Sequence, residues 1–294
     1  MKKISVIIPV YNWERTIKKC LESLLMQKID ISNFEIIVVD DWSTDNTKDI
    51  INSFPNVRCF SQENWWPSKA RNLGVMKSKY DYIAFTDADA YVDINRLTNI
   101  VKTFSDESIM IFWWKIENSN NTFFAHINHL LAFSDFYWNT KEKVRMIPSG
   151  NLSFRKEVFN KLWWFNEDFK IWAEDTDLSF NAKKRWYNIY YIPDIIINHD
   201  TTNNFLLFAK KQFKYWYISY KCRLKYPEYN IQFIFNKFLF PFLIPLLVLR
   251  NIIMLFTSKY FYKHFFYSVL WLPLLIVFKF IYWIWIWEHF YKKN

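Results

Sequence analysis

Two groups of carboxylates stand directly after apolar, β-rich runs in this chain. Asp40 and Asp41 follow one run, and Asp87 and Asp89 follow another. Carboxylates one residue apart at the end of a strand can hold a hard divalent cation such as Mg²⁺ or Mn²⁺ through oxygen, which leaves coordination positions for water and substrate phosphates. An Asp-x-Asp pair alone is weak evidence, because acids in turns after strands commonly act as solvated caps.

Strand-like and helical patterns alternate through the first hundred residues. Apolar, β-rich runs predict strands, and apolar residues spaced by three or four predict helices. The predicted strands are 4–10, 34–39, 57–60 and 80–86, and the predicted helices are 14–26, 45–54 and 68–76. This alternation predicts an α/β fold with a mainly parallel sheet, whose ligands bind outside the carboxyl ends of the strands. We therefore expect both acidic groups to converge on one crevice that suits a nucleoside diphosphate.

Tryptophan stands at several positions where glycine is expected. The chain has 2 Gly and 16 Trp in 294 residues, whereas average usage predicts roughly 20 glycines. Trp13, Trp42, Trp65 and Trp66 lie in predicted turns, which need backbone freedom. One hypothesis is that such positions carry glycine in the cell, because some bacterial lineages decode UGA as glycine whereas other code tables assign it to tryptophan. The alternative is a genuinely Trp-rich protein of the membrane surface, since indoles favour the lipid–water interface.

Five motifs follow one another in order over residues 3–220. They are 5–12 (SVIIPVYN), 38–45 (VVDDWSTD), 64–74 (ending in ARNLG), 87–89 (DAD) and 173–178 (AEDTDL). In these motifs the chain resembles the family 2 glycosyltransferases. The resemblance implies a GT-A fold and transfer of a sugar from a nucleoside-diphosphate sugar with inversion at the anomeric carbon. The positions at which tryptophan replaces a family glycine are Trp13, Trp42, Trp65, Trp66, Trp163, Trp164, Trp172 and Trp186.

The resemblance also implies a donor site and a metal site. Asp41 would accept a hydrogen bond from the base, and Arg71 would help hold the nucleotide. Asp87 would reach the ribose or the metal, and Asp89 would bind the Mg²⁺ or Mn²⁺ that bridges the diphosphate. The structural alternative for these groups is that they are caps and ion pairs. The donor-binding residues implied in this way are Pro9, Tyr11, Glu14, Asp41, Arg71 and Asp87.

A histidine can complete this metal site in the family. His199 ends the apolar run 195–198, which we interpret as a strand returning towards the crevice. A single histidine after an apolar strand is also common as a purely structural residue. The resemblance therefore adds His199 to Asp87 and Asp89 as a candidate metal ligand.

Asp175 is the candidate general base. Inversion by direct displacement needs a carboxylate that takes the proton of the acceptor hydroxyl as its oxygen attacks. Glu174 would orient the acceptor, and the segment 148–155 with Gly150 resembles the acceptor-side wall of the family. The alternative is an ordinary acidic first turn, because a helix is predicted over 175–185 and acids favour a helix N-terminus.

Composition divides the chain into two predicted domains. Residues 1–225 have the mixed composition of the catalytic domain, and residues 226–294 are apolar and aromatic. The stretches 238–256 and 265–287 approach the ~20 residues that span a bilayer, so we expect a membrane-associated helical hairpin. Internal charges and prolines leave interfacial helices as the alternative. Lys and Arg between 183 and 225 contribute to the net charge of +10 and favour contact with the cytoplasmic face of the inner membrane.

Three functional hypotheses remain from the sequence. The first is a membrane-associated glycosyltransferase that acts on a glycan or lipid-linked acceptor in cell-surface polysaccharide synthesis. The second is a catalytically blocked pseudo-enzyme or membrane-binding scaffold, if the tryptophans are genuine. The third is a nucleic-acid binder, which is disfavoured because the positive charge adjoins an apolar tail and we find no recognition motif. Three widely spaced cysteines, Cys20, Cys59 and Cys222, indicate neither a disulfide framework nor a zinc site.

Overall fold

The computed structural model describes residues 2–63, 66–120, 142–144, 147–162, 164–169 and 174–199, together with isolated positions elsewhere. The chain divides into two compact units, Met1–Glu117 with Asn139–Asp200, and Asn118–Trp138 with Thr201–Asn294. The predicted domain boundary at residue 225 and the predicted hairpin lie outside the continuously described ranges. Among the described residues, we find no helix with the length and apolar character needed to cross a bilayer.

Within those ranges, nine strands form one sheet and six α-helices accompany it. The strands β1 to β9 are Ile4–Val10, Phe34–Asp40, Val57–Ser61, Tyr82–Phe85, Ala90–Val92, Ile111–Asn118, Glu142–Val144, Leu152–Arg155 and Ile189–His199. The helices α1 to α6 are Ile17–Leu25, Thr47–Asn52, Pro67–Lys77, Arg96–Phe104, Lys156–Lys161 and Glu174–Lys184. Two short 3₁₀ helices, η1 and η2, span Ile31–Asn33 and Ser149–Asn151. The predicted alternation of the first hundred residues is confirmed.

The first four strands run parallel to one another, in the order β3-β2-β1-β4. The central strand β1 is a nearly continuous apolar run that is buried along its length, as expected for a strand covered on both faces. Helix α1 turns Ile17, Cys20, Leu21 and Leu24 into the core, and this spacing is one helical face. The carboxyl ends of these strands therefore share one edge of the sheet.

The second half of the sheet corrects the prediction of a mainly parallel sheet. β8 joins β4 antiparallel, β6 joins β8 antiparallel, and β5 and β7 both pair antiparallel with β9. Our prediction was wrong here because it extended the strand–helix alternation of the first hundred residues to the whole sheet. Antiparallel neighbours need no helical crossover, so the later strands carry no such sequence pattern.

Antiparallel pairing brings distant residues to the edge where the parallel strands end. In the pairing of β4 with β8, Tyr82 lies opposite Arg155 and Ala84 opposite Ser153. The beginning of β8 therefore lies beside the end of β4, and η2, which precedes β8, lies beside Asp87. In the pairing of β5 with β9, Ala90 lies opposite His199.

Candidate functional site

The loops after β1 and β2 are tied together by reciprocal hydrogen bonds. The N–H of Thr44 donates to Asn12 Oδ1 at 2.8 Å, and the N–H of Asn12 donates to Ser43 Oγ at 3.0 Å. The N–H of Asn46 donates to a carboxylate oxygen of Glu14 at 3.1 Å. Glu14, predicted as a donor-binding residue, therefore braces the second loop in this structure. Polar side chains such as these stabilise turns by capping backbone groups.

Asp41 lies at the end of β2 and is buried. Its carboxylate accepts a hydrogen bond from Gln62 Nε2 at 2.8 Å and one from the backbone N–H of Trp66 at 3.0 Å. The two other residues predicted for the nucleoside pocket lie on the same edge. Pro9 is half-buried in β1, and Tyr11 follows the strand with 45% of its surface exposed.

Four tryptophans adopt backbone conformations that favour glycine. Trp42, Trp66, Trp164 and Trp186 have φ values of 70°, 83°, 70° and 63°. All four belong to the positions identified from the sequence as family glycines. A side chain with a Cβ costs roughly 1–2 kcal/mol in the left-handed helical region, and glycine visits it without that cost. Trp66, with a ψ of 157°, lies in a different positive-φ region that is essentially restricted to glycine. The backbone thus supports the glycine interpretation at these positions, independently of the motif pattern.

The remaining tryptophans of that set divide into two groups. Trp13 is described and does not have a positive φ, so the backbone gives no comparable signal there. Trp65, Trp163 and Trp172 lie outside the described residues. The structure therefore bears on five of the eight positions and supports glycine at four of them.

Asp87, Asp89 and His199 form one cluster. Each offers a ligand atom, and these atoms lie within 4.8 Å of one another. His199 Nε2 is 3.1 Å from a carboxylate oxygen of Asp89 and 3.9 Å from one of Asp87. The predicted return of His199 to the acidic edge is confirmed, because β9 pairs with β5 at that point. Carboxylate oxygens with one imidazole nitrogen fit Mn²⁺ or Mg²⁺ with open positions for water and phosphate.

The charges of this cluster act on one another. Burial disfavours the charged form of His199, but Asp89 and Asp87 outweigh that effect and raise the pKa of its imidazole to about 10. Burial likewise works against the charged form of Asp87, but hydrogen bonding with His199 and the charge of Arg71 lower the pKa of its carboxyl group. The cluster is thus a site of concentrated negative charge that the protein partly compensates with its own cations.

The Asp87 carboxylate occupies the space that a side chain at position 150 would need, and Gly150 has no side chain. A Cβ added at Gly150 would lie 1.7 Å from one carboxylate oxygen of Asp87, which is far inside any permitted contact. Only a residue without a side chain fits there while Asp87 keeps its position. Gly150 therefore has a structural requirement tied to the candidate metal site.

Arg71 joins the cluster to helix α6. Its guanidinium donates to Asp87 at 3.3 Å and to Glu174 at 3.0 Å. Arg71 and Glu174 are both buried, and a buried carboxylate needs such a partner because desolvation is costly. The family resemblance predicts that Arg71 holds the nucleotide and that Glu174 orients the acceptor. In this structure the two side chains bind each other, and those predicted roles stay predictions.

Asp175 follows Glu174 in the first turn of α6 and is half-buried. Its Oδ1 accepts hydrogen bonds from the N–H of Thr176 at 2.6 Å and from the hydroxyl of Thr176 at 3.3 Å. Burial, followed by the negative charge of Glu174, raises the pKa of Asp175 to about 7. A carboxylate with a pKa near neutrality suits a general base.

The structure thus brings five of the ten predicted site residues into one contact network, namely Asp87, Asp89, His199, Arg71 and Glu174. Asp175 stands beside Glu174 on the same helix, and Asp41 belongs to a second group of contacts with Gln62 and Trp66. The motifs in the sequence do not single out Ser149 or Gln62. The glycine at position 150 was the one signal that pointed to the segment containing Ser149.

The chain is similar to known proteins in sequence and in fold. The family description "Glycosyl transferase family 2" matches residues 5–163, which is more than half of the chain. Glycosyltransferase GlyG of Streptococcus pneumoniae is 27% identical over 183 residues, which cover 55% of this chain and 60% of GlyG. Poly(ribitol-phosphate) beta-N-acetylglucosaminyltransferase TarS of Staphylococcus aureus is 35% identical over 112 residues, which cover 36% of this chain and 19% of TarS. The chain thus spans three fifths or less of the length of these relatives.

Solved structures show the same fold. The crystal structure of S. aureus TarS 1-349 in complex with UDP-GlcNAc aligns with a TM-score of 0.56 at 23% identity, over 69% of this chain and 59% of that one. The crystal structure of GalNAc-T7 with UDP, GalNAc and Mn²⁺ aligns with a TM-score of 0.57 at 16% identity, over 68% of this chain and 44% of that one. At these identities the likeness establishes the GT-A type of α/β fold.

Proposed function

Because the chain belongs to glycosyltransferase family 2, we propose that it transfers a sugar from a nucleoside-diphosphate sugar to a glycan or lipid-linked acceptor with inversion at the anomeric carbon. The observation that carries this proposal is the metal-type cluster of Asp87, Asp89 and His199. Arg71 links that cluster to the helix that bears Asp175. The groups that we propose for donor binding and for proton transfer therefore stand at one edge of the sheet, where α/β folds bind ligands.

The candidate metal site would hold the diphosphate part of the donor. Asp87, Asp89 and His199 would bind Mg²⁺ or Mn²⁺, which would stabilise the negative charge that develops on the departing nucleoside diphosphate. GalNAc-T7, a protein of the same fold, has been crystallised with UDP and Mn²⁺, which is consistent with such a site. Asp41, Tyr11, Pro9 and Glu14 would form the nucleoside side of the pocket.

Asp175 would accept the proton of the acceptor hydroxyl. Thr176 engages Oδ1 of Asp175, which leaves Oδ2 for the incoming proton. As the acceptor oxygen attacks the anomeric carbon, the bond to the diphosphate breaks, and the hydroxyl proton passes to the carboxylate. One base is sufficient because the leaving diphosphate needs charge stabilisation more than protonation.

We propose a chemical class for the donor and for the acceptor. TarS has been crystallised with UDP-GlcNAc, so UDP-sugars are the first donors to test. The name of TarS describes transfer to poly(ribitol-phosphate), which supports a role of this chain in cell-wall or surface polysaccharide synthesis. We further propose that the enzyme acts at the cytoplasmic face of the inner membrane, on the basis of the basic residues 183–225 and the apolar residues 226–294.

Release of nucleoside diphosphate tests this function. The full chain is incubated with UDP-GlcNAc or UDP-glucose and Mg²⁺ or Mn²⁺, with and without a polyol-phosphate acceptor, and UDP is measured. Asp89→Asn removes a charged ligand without changing the shape of the side chain, so UDP release is expected to fall roughly a hundredfold or more. Asp93→Asn is the matched control, because Asp93 is an exposed aspartate that caps the N–H of Asn95. Equal activity of wild type and Asp89→Asn would contradict the proposal.

The second candidate function is a binding scaffold with a blocked pocket. Trp42 and Trp66 flank Asp41 in strained backbone conformations, and indoles at these positions would compete with a nucleoside for space. A chain with tryptophan at both positions that binds membranes but no UDP would favour this alternative. UDP binding that occurs only in Trp42→Gly and Trp66→Gly variants would favour the transferase.

A further inference from the structure

Helix η2 touches two parts of the candidate site with successive residues. Ser149 Oγ donates a hydrogen bond to Glu174 Oε1 at 2.8 Å. At the next position, the Cα of Gly150 lies so close to Asp87 that an added Cβ would meet its carboxylate at 1.7 Å. Ser149 and Gly150 are both buried. One short turn therefore contacts the metal-type cluster and the residue next to the candidate base.

Arg71 makes the same connection from helix α3. Its guanidinium contacts Glu174 Oε1 at 3.0 Å through one nitrogen and Asp87 Oδ1 at 3.3 Å through the other. Glu174 Oε1 thus accepts hydrogen bonds from Arg71 and Ser149 together. The side chains of Arg71 and Glu174 are 7% and 6% exposed. Hydrogen bonds to charged groups in such surroundings are worth more than neutral ones at the surface.

We propose that Ser149 is a positioning residue of the transfer reaction: with Arg71 it holds the Glu174 carboxylate, and through Glu174 it fixes the turn of α6 on which Asp175 stands. This inference rests on the proposed transferase function. Glu174 is adjacent to Asp175 in the chain, so a displaced Glu174 moves the base relative to the acceptor. A displacement of about 1 Å is enough to lower the rate of a positioned reaction about a hundredfold.

Glu174 also determines the charge that Asp175 experiences. After burial, Glu174 is the largest influence that raises the pKa of Asp175 to about 7, and Thr176 and Arg71 oppose it. Among the described residues, the charged groups that act on Asp175 are therefore Glu174, from its own helix, and Arg71, from α3. Removing the charge of Glu174 while keeping its shape separates this electrostatic effect from simple packing.

Steady-state kinetics of Ser149→Ala in the full chain test the positioning role. We expect kcat to fall about tenfold or more with UDP-GlcNAc as donor, because the lost hydrogen bond serves a charged group, while the KM for the donor stays within about twofold. Ser153→Ala is the matched control. Ser153 is a buried serine of the adjoining strand, and its hydroxyl has no hydrogen-bond partner among the described residues. Equal kcat values in Ser149→Ala and Ser153→Ala would overturn the proposal.

Titration of Asp175 gives a second readout that needs no turnover. In Asp-labelled protein, ¹³C NMR is expected to show a pKa for Asp175 that is lower by about one unit or more in Glu174→Gln than in wild type. The Ser149→Ala variant is expected to shift the Asp175 resonance, and Ser153→Ala is expected to leave it in place. An unchanged Asp175 titration in Glu174→Gln, with an unshifted resonance in Ser149→Ala, would overturn the coupling.

The two experiments also separate the two proposals. If wild type releases no UDP from any donor while the NMR shifts occur, the transferase function fails and the coupling between Ser149, Glu174 and Asp175 stands. If wild type is active and Ser149→Ala matches its control, the function stands and the positioning role fails. Should Glu174→Gln not fold, the comparison of Ser149→Ala with Ser153→Ala decides.

Discussion

Replacing Trp186 by glycine is expected to stabilise the protein. Trp186 follows α6 with a φ of 63°. Its N–H donates to the carbonyl of Lys183 at 3.0 Å, and the N–H of Tyr187 donates to the carbonyl of Ala182 at 2.9 Å. These two bonds are the Schellman arrangement of a helix C-terminus, in which the left-handed residue is usually glycine. At this position a Cβ is strained, and the backbone tolerates glycine without strain.

The size of the effect follows from two opposing contributions. Removing the Cβ from a left-handed residue gains about 1–2 kcal/mol, and the greater freedom of glycine in the unfolded chain cancels about 0.5–1 kcal/mol of that gain. Trp186 is 93% exposed, so removing its side chain eliminates few packing contacts. The net increase in the free energy of unfolding lies within about 0–1.5 kcal/mol. At the midpoint, about 0.75 kcal/mol, Tm rises by about 1–3 °C.

Urea denaturation of Trp186→Gly and Trp186→Ala checks this reasoning. The glycine variant should unfold at a higher urea concentration with an unchanged m-value. The alanine variant keeps a Cβ in the left-handed region and should gain much less. If alanine stabilises the protein as much as glycine, the gain comes from removing an exposed indole and not from relieving backbone strain at this φ.

The same backbone feature bears on the decoding hypothesis. If glycine is inserted in the cell, the encoding DNA carries UGA at Trp42, Trp66, Trp164 and Trp186, and the intact mass of the native protein is correspondingly lower. UGG at these codons would establish the indoles as genuine and would move the blocked-pocket scaffold ahead of the transferase.

Two further predictions concern the site. Asp175 must be deprotonated to act as a base, and its pKa is raised to about 7. We therefore expect kcat to rise with pH between about 6 and 8. A kcat that is constant over this range would argue against Asp175 as the base. Gly150→Ala places a Cβ against Asp87 and should weaken Mn²⁺ binding, measured by calorimetry, by about tenfold or more. Gly74→Ala is the control, since its Cβ would meet Ile7 in the core and should lower stability while Mn²⁺ affinity is retained.

Local patterns were sufficient for the parallel half of the fold. The apolar run of β1 and the spacing of Ile17, Leu21 and Leu24 in α1 carry strand and helix signals within a few residues, so the elements were predicted to within three residues at their ends. The antiparallel half escaped prediction because strand pairing between β4 and β8 joins residues about 70 positions apart. Such pairing depends on how distant segments pack together, and the short-range periodicity of the sequence carries no information about those contacts.

The candidate catalytic and metal-binding residues are visible in the amino-acid sequence. Asp87, Asp89 and Asp175 were identified from the order of motifs and from their places after a strand or before a helix, because side chains at those places can reach a ligand at the edge of a sheet. The positions where tryptophan replaces an expected glycine were also visible in the chain alone.

The contacts among those groups depend on the folded chain. The antiparallel strands carry His199 to Asp89 and bring Gly150 against Asp87. Arg71 is buried between Asp87 and Glu174 and forms ion pairs with both carboxylates. These partners are far from Arg71 in the sequence, so local patterns do not predict them. The strain at Trp42, Trp66, Trp164 and Trp186 likewise follows from backbone angles, which the assembled sheet and its helices impose on the turns between them.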